Sequence, residues 1–152
     1  MSTAMSDERA CPIAARHAPA PRGLVVEDQV LIGLSIEAYL NDIGIEVGAS
    51  FRSEADALRW LAHERPDFAI VDYALSDGPC VALAAALRRT GIPFVVYSGH
   101  RQDMAGPLRG AVWIDKPAPR ATILSALARI LPQLEPVLRR GHAWSAGPER
   151  QN

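Results

Sequence analysis

Five residues of the sequence could bind a cation and move a charged group, and each lies at or just after the end of a short apolar run. They are Glu27, Asp28, Asp72, Ser98 and Lys116. Three carboxylates in one place repel one another and raise their own pKa values unless a cation compensates them. If the five residues converge, a bound hard metal ion is therefore expected. Mg²⁺ fits best, since it prefers carboxylate oxygens and retained waters, and the lack of nearby Cys or His argues against zinc.

Asp72 is the candidate nucleophile of this set. A carboxylate can attack phosphorus in line and leave an aspartyl phosphate. The transferring phosphoryl group carries negative charge on its peripheral oxygens, so positioning and positive charge do most of the catalytic work. The metal and Lys116 would supply that charge, and the Ser98 hydroxyl could donate to a further phosphoryl oxygen.

Residues so far apart in sequence meet only if the chain places the ends of its apolar runs side by side. The runs alternate with helical patterns, which predicts βα units around a parallel sheet, whose ligands bind beyond the carboxyl ends of the strands. The expected fold is a doubly wound, flavodoxin-like α/β fold, (βα)₅, with a five-stranded parallel sheet. The predicted strands are 23–27, 45–49, 67–72, 92–97 and 111–115, and the predicted helices are 29–43, one between Ser53 and Pro66, 79–90 and 121–131.

Two helices have unusual patterns. The helix over 29–43 is apolar on two adjoining stripes, one with Leu31, Leu34 and Ala38 and the other with Ile36, Leu40 and Ile43. Between the fourth and fifth strands, Gly106 and Pro107 interrupt the apolar residues that could form a helix. The fourth helix is therefore expected to be short or distorted.

Composition sets the limits on domain number and partners. The 152 residues suit one domain over 22–131, with a flexible tail at 1–21 and a frayed helix end and flexible tail at 132–152. A formal net charge of −1 gives no electrostatic reason to expect nucleic acid or an acidic membrane as partner. No stretch reaches the roughly 18 apolar residues that span a bilayer, and no leader is visible, so a cytoplasmic location is expected.

The ends of the strands also carry sequence motifs: LVVED, AIVDYAL, FVVYSG and WIDKP. Together and in this order they resemble the receiver domain of response regulators, over about residues 22–131. The resemblance implies that Glu27 and Asp28 bind Mg²⁺ and that Asp72 accepts a phosphoryl group from a histidine kinase. Ser98 and Lys116 complete the site. Such a domain is a phosphoacceptor with slow autophosphatase activity and not otherwise an enzyme.

The resemblance assigns two further roles. The backbone carbonyl of Ala74 becomes another metal ligand, and Trp113, three positions before the lysine, becomes a switch residue together with Ser98. Three positions depart from the usual pattern. Glu27 stands where many members have Asp, Ser98 replaces the commoner Thr, and Trp113 is bulkier than the usual Tyr or Phe.

The LSDG turn after Asp72 and the short segment before WIDKP are similar to the FATGUY subfamily of alphaproteobacterial receivers. Its members are often stand-alone domains paired with kinases of the HWE or a related type. This implies signalling through protein contacts with a histidine kinase or a histidine phosphotransfer protein and with a downstream protein partner. The domain would then act as a shuttle, a sink or a kinase regulator.

Three other functions fit the sequence less well than phosphoryl acceptance by a receiver domain. A receiver-like adaptor whose binding does not depend on phosphorylation is the main alternative, although the intact five-residue site argues against it. A phosphatase of the haloacid dehalogenase type needs a second acid two residues after the nucleophile, where this chain has Ala74. FMN binding is disfavoured because the acidic loop at Glu27 and Asp28 would repel the FMN phosphate.

Overall fold

The computed structural model describes residues 20–99 and 106–138. Five parallel strands form the main sheet, in the order β2-β1-β3-β6-β7. Two further strands, β4 and β5, form a small antiparallel hairpin directly after β3. The strands are β1 (Arg22–Val26), β2 (Glu46–Phe51), β3 (Phe68–Val71), β4 (Ala74–Leu75), β5 (Gly78–Pro79), β6 (Phe94–Ser98) and β7 (Val112–Asp115).

Helices follow the strands and cover both faces of the sheet. They are α1 (Val30–Asp42), α2 (Glu54–Leu61), α3 (Val81–Arg89) and α4 (Arg120–Ile130). Ser53 caps α2, since its side chain accepts a hydrogen bond from the Asp56 amide. After α1 the chain turns at Gly44, whose φ of +81° lies in the left-handed region that favours glycine.

The core consists of two layers because successive strand residues point to opposite faces. Val25, Ile70 and Val95 pack on one face with α1 and α4 residues. On the other face their sequence neighbours, such as Val71 and Val96, pack with α2 and α3 residues. The strands are therefore apolar on both sides, and the predicted doubly wound α/β fold with a five-stranded parallel sheet is confirmed.

The fourth connection contains little helix in its described part. A single turn of 3₁₀ helix covers Gly106–Leu108, while residues 100–105 lie outside the described part of the chain. Leu108 is buried, and Arg88 of α3 donates hydrogen bonds to the carbonyls of Pro107 and Arg109 on either side of it. The described part of this connection is thus a short element anchored to α3, which agrees with the predicted interruption at Gly106 and Pro107.

Only one of the two apolar stripes of α1 is buried. Ile36, Leu40 and Ile43 belong to the core. Leu31 and Leu34 are 79% and 55% exposed, and Ala38, one turn further along, is exposed as well. Within the described part of the chain, this second stripe remains an apolar surface facing solvent.

Packing continues past Leu131, where the sequence analysis ends the domain. Leu131, Leu134 and Leu138 are all buried in the layer formed with α1 and α4. The predicted tails otherwise lie outside the described residues, except for residues 20 and 21 and the segment 132–138. None of the described helices combines the length and the apolar character needed to cross a membrane.

Candidate functional site

A cleft of about 480 Å³ opens beyond the carboxyl ends of β1, β3, β6 and β7. It occurs at this edge because all the strands of the sheet are parallel, so the loops that follow them diverge together. The residues that line it include Asp28, Asp72, Ala74, Tyr97, Ser98 and Lys116. The structure therefore places five of the predicted site residues on one cleft, and Glu27 lies directly beneath it in contact with Lys116.

The three acids converge as the strand ends predict. Glu27, Asp28 and Asp72 each offer one carboxylate oxygen, and these oxygens lie within 4.8 Å of one another. Glu27 and Asp72 are buried, whereas Asp28 is half-buried at the rim. Backbone pairing fixes Asp72, since its amide donates to the carbonyl of Val26 at 2.8 Å.

Lys116 is the cation of this cluster. Its Nζ lies 2.6 Å from Oε2 of Glu27 and 2.9 Å from Oδ2 of Asp72. It is the only lysine in the sequence, in which every other residue with a permanently positive side chain is an arginine. A compact ammonium fits between two buried carboxylates, whereas a planar guanidinium needs more room.

Burial and the neighbouring charges change the pKa values of Glu27 and Lys116. Burial, opposed by the contact with Lys116 and reinforced by the nearby charge of Asp72, raises the pKa of Glu27 from 4.5 to about 7. Burial disfavours the charged form of Lys116, but its bonds to Glu27 and Asp72 outweigh that effect and raise its pKa. The two carboxylates thus keep the lysine charged, while the lysine compensates the carboxylates only in part.

Tyr97 is a site residue that the sequence analysis did not identify. Its hydroxyl accepts a hydrogen bond from the Ala118 amide at 3.2 Å, which ties the loop after β7 to β6. The Lys116 ammonium lies 5.3 Å from the centre of the Tyr97 ring, and the peptide bond between Lys116 and Pro117 is cis. The position of Tyr97 directly before Ser98 could have identified it from the sequence, because the last residues of a parallel strand border the edge of the sheet at which ligands bind.

The two predicted switch residues occupy different surroundings. Ser98 is buried at the end of β6, and its carbonyl accepts a hydrogen bond from the Lys116 amide at 3.0 Å. Trp113 does not line the cleft and packs instead against Tyr73, with ring centres 5.8 Å apart. Its buried indole N–H has no hydrogen-bond partner among the described residues. Tyr73 follows Asp72 directly, so Trp113 contacts the site through that neighbour.

The cluster has the properties of a binding site for a hard divalent cation. With all groups ionised, Lys116 balances one of the three carboxylates and leaves two negative charges uncompensated. Oε2 of Glu27 is buried and, despite the nearby ammonium, receives no well-aligned hydrogen bond from the described residues. Closely spaced carboxylate oxygens of this kind are the ligands that Mg²⁺ prefers. The residues present therefore fit this metal.

We expect replacement of Glu27 by Gln to change how stability depends on pH. The folded wild type holds the Glu27 proton more tightly than the unfolded chain, so the contribution of Glu27 to stability is largest below pH 4.5 and is lost as the pH rises to about 7. Glutamine has no charge to lose and can still accept a hydrogen bond. Urea unfolding in EDTA should show Glu27→Gln gaining on the order of 2 kcal/mol over the wild type between these pH values. Parallel pH profiles of the two proteins would contradict this.

Comparison with known proteins identifies the fold family. The model of the response regulator receiver domain family matches residues 24–128. The chain belongs to this family. Receiver domains are also found among the solved structures that share its fold, whereas no curated protein matches the sequence.

Three solved structures illustrate the likeness. A sensor protein from Polaromonas sp. JS666 is 27% identical, with a TM-score of 0.67 over 76% of this chain and 99% of that one. A response regulator receiver protein from Sinorhizobium medicae is 24% identical, with a TM-score of 0.68 over 76% and 98%. The receiver domain of the Pseudomonas aeruginosa sensor kinase PA1611, with a magnesium ion coordinated in its active-site cleft, is 21% identical, with a TM-score of 0.65 over 74% and 98%.

Proposed function

We propose that this receiver domain accepts a phosphoryl group on Asp72 in a Mg²⁺-dependent reaction and signals through contacts with other proteins in the cytoplasm. The observation that supports this most directly is the contact between Asp72 Oδ2 and Lys116 Nζ at 2.9 Å, inside a cleft where two further acids adjoin Asp72. An acid held this way lines the cleft that a donor would enter and is placed beside positive charge.

Four groups would hold the metal: the carboxylates of Glu27, Asp28 and Asp72 and the carbonyl of Ala74. When bound, Mg²⁺ supplies positive charge to the peripheral oxygens of the phosphoryl group. Glu27 lies deepest of the three acids, with a side chain 2% exposed. Its contact with the metal through a water molecule suits that depth and its extra methylene.

The residues of the chain perform the remaining steps. A carboxylate oxygen of Asp72 forms a bond to phosphorus while the bond from phosphorus to the donor breaks, and the donor leaves with that electron pair. With a phosphohistidine donor, the breaking bond is P–N and the leaving group is an imidazole. The Lys116 ammonium and the Ser98 hydroxyl donate to phosphoryl oxygens. Attack of water on the phosphorus of the aspartyl phosphate would break the bond to the Asp72 oxygen, release inorganic phosphate and restore the carboxylate, and this slow autophosphatase reaction is the only catalysis proposed.

The expected protein donors are a histidine kinase of the HWE or a related type, or a histidine phosphotransfer protein. Assignment to the FATGUY subfamily is supported by the LSDG turn after Asp72 and by the single 3₁₀ turn at Gly106–Leu108. We therefore propose a stand-alone domain over 22–131, extended by the packed residues to Leu138, that acts as a shuttle, a sink or a kinase regulator. Ser98 and Trp113 are its proposed switch residues.

Incubation with Mg²⁺ and acetyl phosphate tests the function, with intact mass as the readout. The wild type should gain about 80 Da, the mass of one phosphoryl group, and EDTA should prevent the gain. Beryllofluoride with Mg²⁺ should shift the amide NMR signals of the loops around the cleft. A protein that shows neither response in the presence of Mg²⁺ is not a phosphoacceptor.

The exposed stripe of α1 is the proposed docking surface for the donor protein. It begins next to the cleft, since Ile32 of the same helix lines the opening and Leu31 and Leu34 flank Ile32 in sequence. Exposed apolar residues at the edge of a site that must admit another protein are typical of interfaces. Docking of a partner protein would explain why α1 is apolar on the side that faces solvent as well as on the side that faces the core.

We expect the double replacement of Leu31 and Leu34 by Glu to slow transfer from an autophosphorylated histidine kinase by roughly ten-fold or more. Phosphorylation by acetyl phosphate should be unchanged, because a small donor needs only the cleft. Val81→Glu is the matched control, since Val81 is also apolar and exposed but starts α3 on the other side of the sheet. Equal losses with both donors would indicate damage to the site and not to docking.

A further inference from the structure

A chain of hydrogen bonds joins the loops that surround the cleft, outside the acid cluster itself. Its centre is Asp77, at the turn of the β4–β5 hairpin. One Asp77 oxygen accepts from the Glu54 amide at 2.8 Å and the other from the Ala55 amide at 3.0 Å, in the first turn of α2. These two bonds lower the pKa of Asp77, so the carboxylate stays charged at the positive end of the helix.

Neighbouring residues extend this chain in both directions. The Ser76 hydroxyl donates to the Arg52 carbonyl at 3.1 Å, and Arg52 Nε donates to the Asp28 carbonyl at 3.3 Å. From α2, the Glu54 carboxylate accepts a hydrogen bond from the Leu83 amide at the start of α3. The loops after β1, β2 and β3 are thereby linked at one edge of the sheet.

The hairpin in turn connects Asp77 to Asp72. The Ala74 amide donates to Asp72 Oδ1 at 3.3 Å, and the Cys80 amide closes the base of the hairpin on the Tyr73 carbonyl at 2.9 Å. Each strand of this hairpin has only two residues, and isolated hairpins are marginally stable in water even when longer. The anchor to α2 therefore holds a segment that its own pairing would leave loose.

We propose that Asp77 is a positioning residue for phosphoryl acceptance, which fixes the hairpin to α2 and so holds the Ala74 backbone against Asp72 and the metal site. This inference rests on the proposed function. Asp77 touches neither the acid cluster nor the expected phosphoryl position, and it acts through the peptide units between 72 and 80. With Asp77 in place, the Ala74 carbonyl should already be positioned for metal binding in the ligand-free protein.

The test compares Asp77→Ala with Ser53→Ala in the full chain. Each variant removes a side chain that accepts hydrogen bonds from amides at the start of α2: Asp77 accepts from Glu54 and Ala55, and Ser53 accepts from Asp56 at 3.2 Å. Only Asp77 also belongs to the hairpin. Loss of stability in α2 is thus common to both. Hydrogen exchange of the metal-free proteins reports the hairpin through the Cys80 amide and the helix through the Ala57 amide, and calorimetry reports Mg²⁺ affinity.

Both variants should exchange faster at Ala57. Only Asp77→Ala should exchange faster at Cys80, by roughly five- to ten-fold, and bind Mg²⁺ more weakly, by roughly three- to ten-fold. Asp77→Asn, which keeps one acceptor oxygen, should fall between it and the wild type.

Two results would overturn the inference while leaving the proposed function intact. One is equal exchange at Cys80 in Asp77→Ala and Ser53→Ala. The other is Mg²⁺ affinity in Asp77→Ala within two-fold of a wild type that binds the metal and accepts the phosphoryl group. A wild type that binds no Mg²⁺ would overturn both proposals, and that result requires no variant.

Discussion

Replacement of Asp72 by Asn should abolish phosphorylation, so that the variant gains no mass from acetyl phosphate and Mg²⁺ under conditions in which the wild type is fully modified. The amide has the size of the carboxylate and can still accept a hydrogen bond from Lys116. Its oxygen is a poor nucleophile, however, and it removes one of the negative charges that attract the metal. The expected effect is therefore a complete loss, measured by intact mass and by peptide mapping.

Misfolding is not expected to explain that loss. Removing one of three converging acids relieves repulsion, so Asp72→Asn should unfold at a urea concentration at least as high as the wild type in EDTA. Asp42→Asn is a suitable control, because Asp42 is an exposed aspartate at the end of α1 whose contact is an ion pair with Arg120. If the adduct persists in Asp72→Asn, another residue carries the phosphoryl group and the assignment of Asp72 is wrong.

Most of the fold could be predicted because its strongest signals are local. A strand buried on both faces is apolar throughout, and a glycine or proline marks the end of each predicted helix. The main-sheet strands and the four helices lie within two residues of the predicted ranges wherever the sequence analysis gave both ends. The hairpin of β4 and β5 was not predicted, since two-residue strands leave no periodic pattern.

The convergence of the acids and Lys116 could be predicted for a topological reason. Parallel strands bring their carboxyl ends to one edge, so residues at these ends meet whatever their separation in sequence. The bonds of Arg52, Ser76 and Asp77 could not be foreseen in this way. They join loops whose relative path depends on packing, and an aspartate in a turn has many local partners available.

Burial of apolar stripes was the least predictable feature. Leu31 and Ile36 are both apolar residues of α1, yet one is 79% exposed and the other 1%. Periodicity shows that a stripe exists but not whether the protein itself covers it. At the other end of the chain, where a frayed helix end is predicted, Leu131, Leu134 and Leu138 recur at helical spacing and all three are buried. Pro132 and Pro136 interrupt the pattern there, so the sequence does not show how far the packing extends.

Replacement of Lys116 should have the second large effect, because its ammonium compensates the charges of two buried carboxylates, Glu27 and Asp72. In Lys116→Met the side chain keeps its approximate length but loses its charge, leaving Glu27 and Asp72 buried without their ammonium. The unfolding free energy in EDTA at pH 8 should fall by about 3 kcal/mol, and the deficit should shrink at lower pH as Glu27, whose pKa is raised, takes up a proton. Urea unfolding at several pH values measures this.

The rate of phosphorylation separates the chemical role of Lys116 from this loss of stability. At saturating Mg²⁺, and at a temperature where both proteins are folded, acetyl phosphate should modify Lys116→Met at least about 100-fold more slowly than the wild type, because the transferring group loses a fixed positive charge. Lys116→Arg keeps the charge, but its guanidinium must enter a place where the lysine side chain is 12% exposed, so it should restore only part of the rate. A wild-type rate in Lys116→Met would show that the ammonium balances the acids and takes no part in transfer.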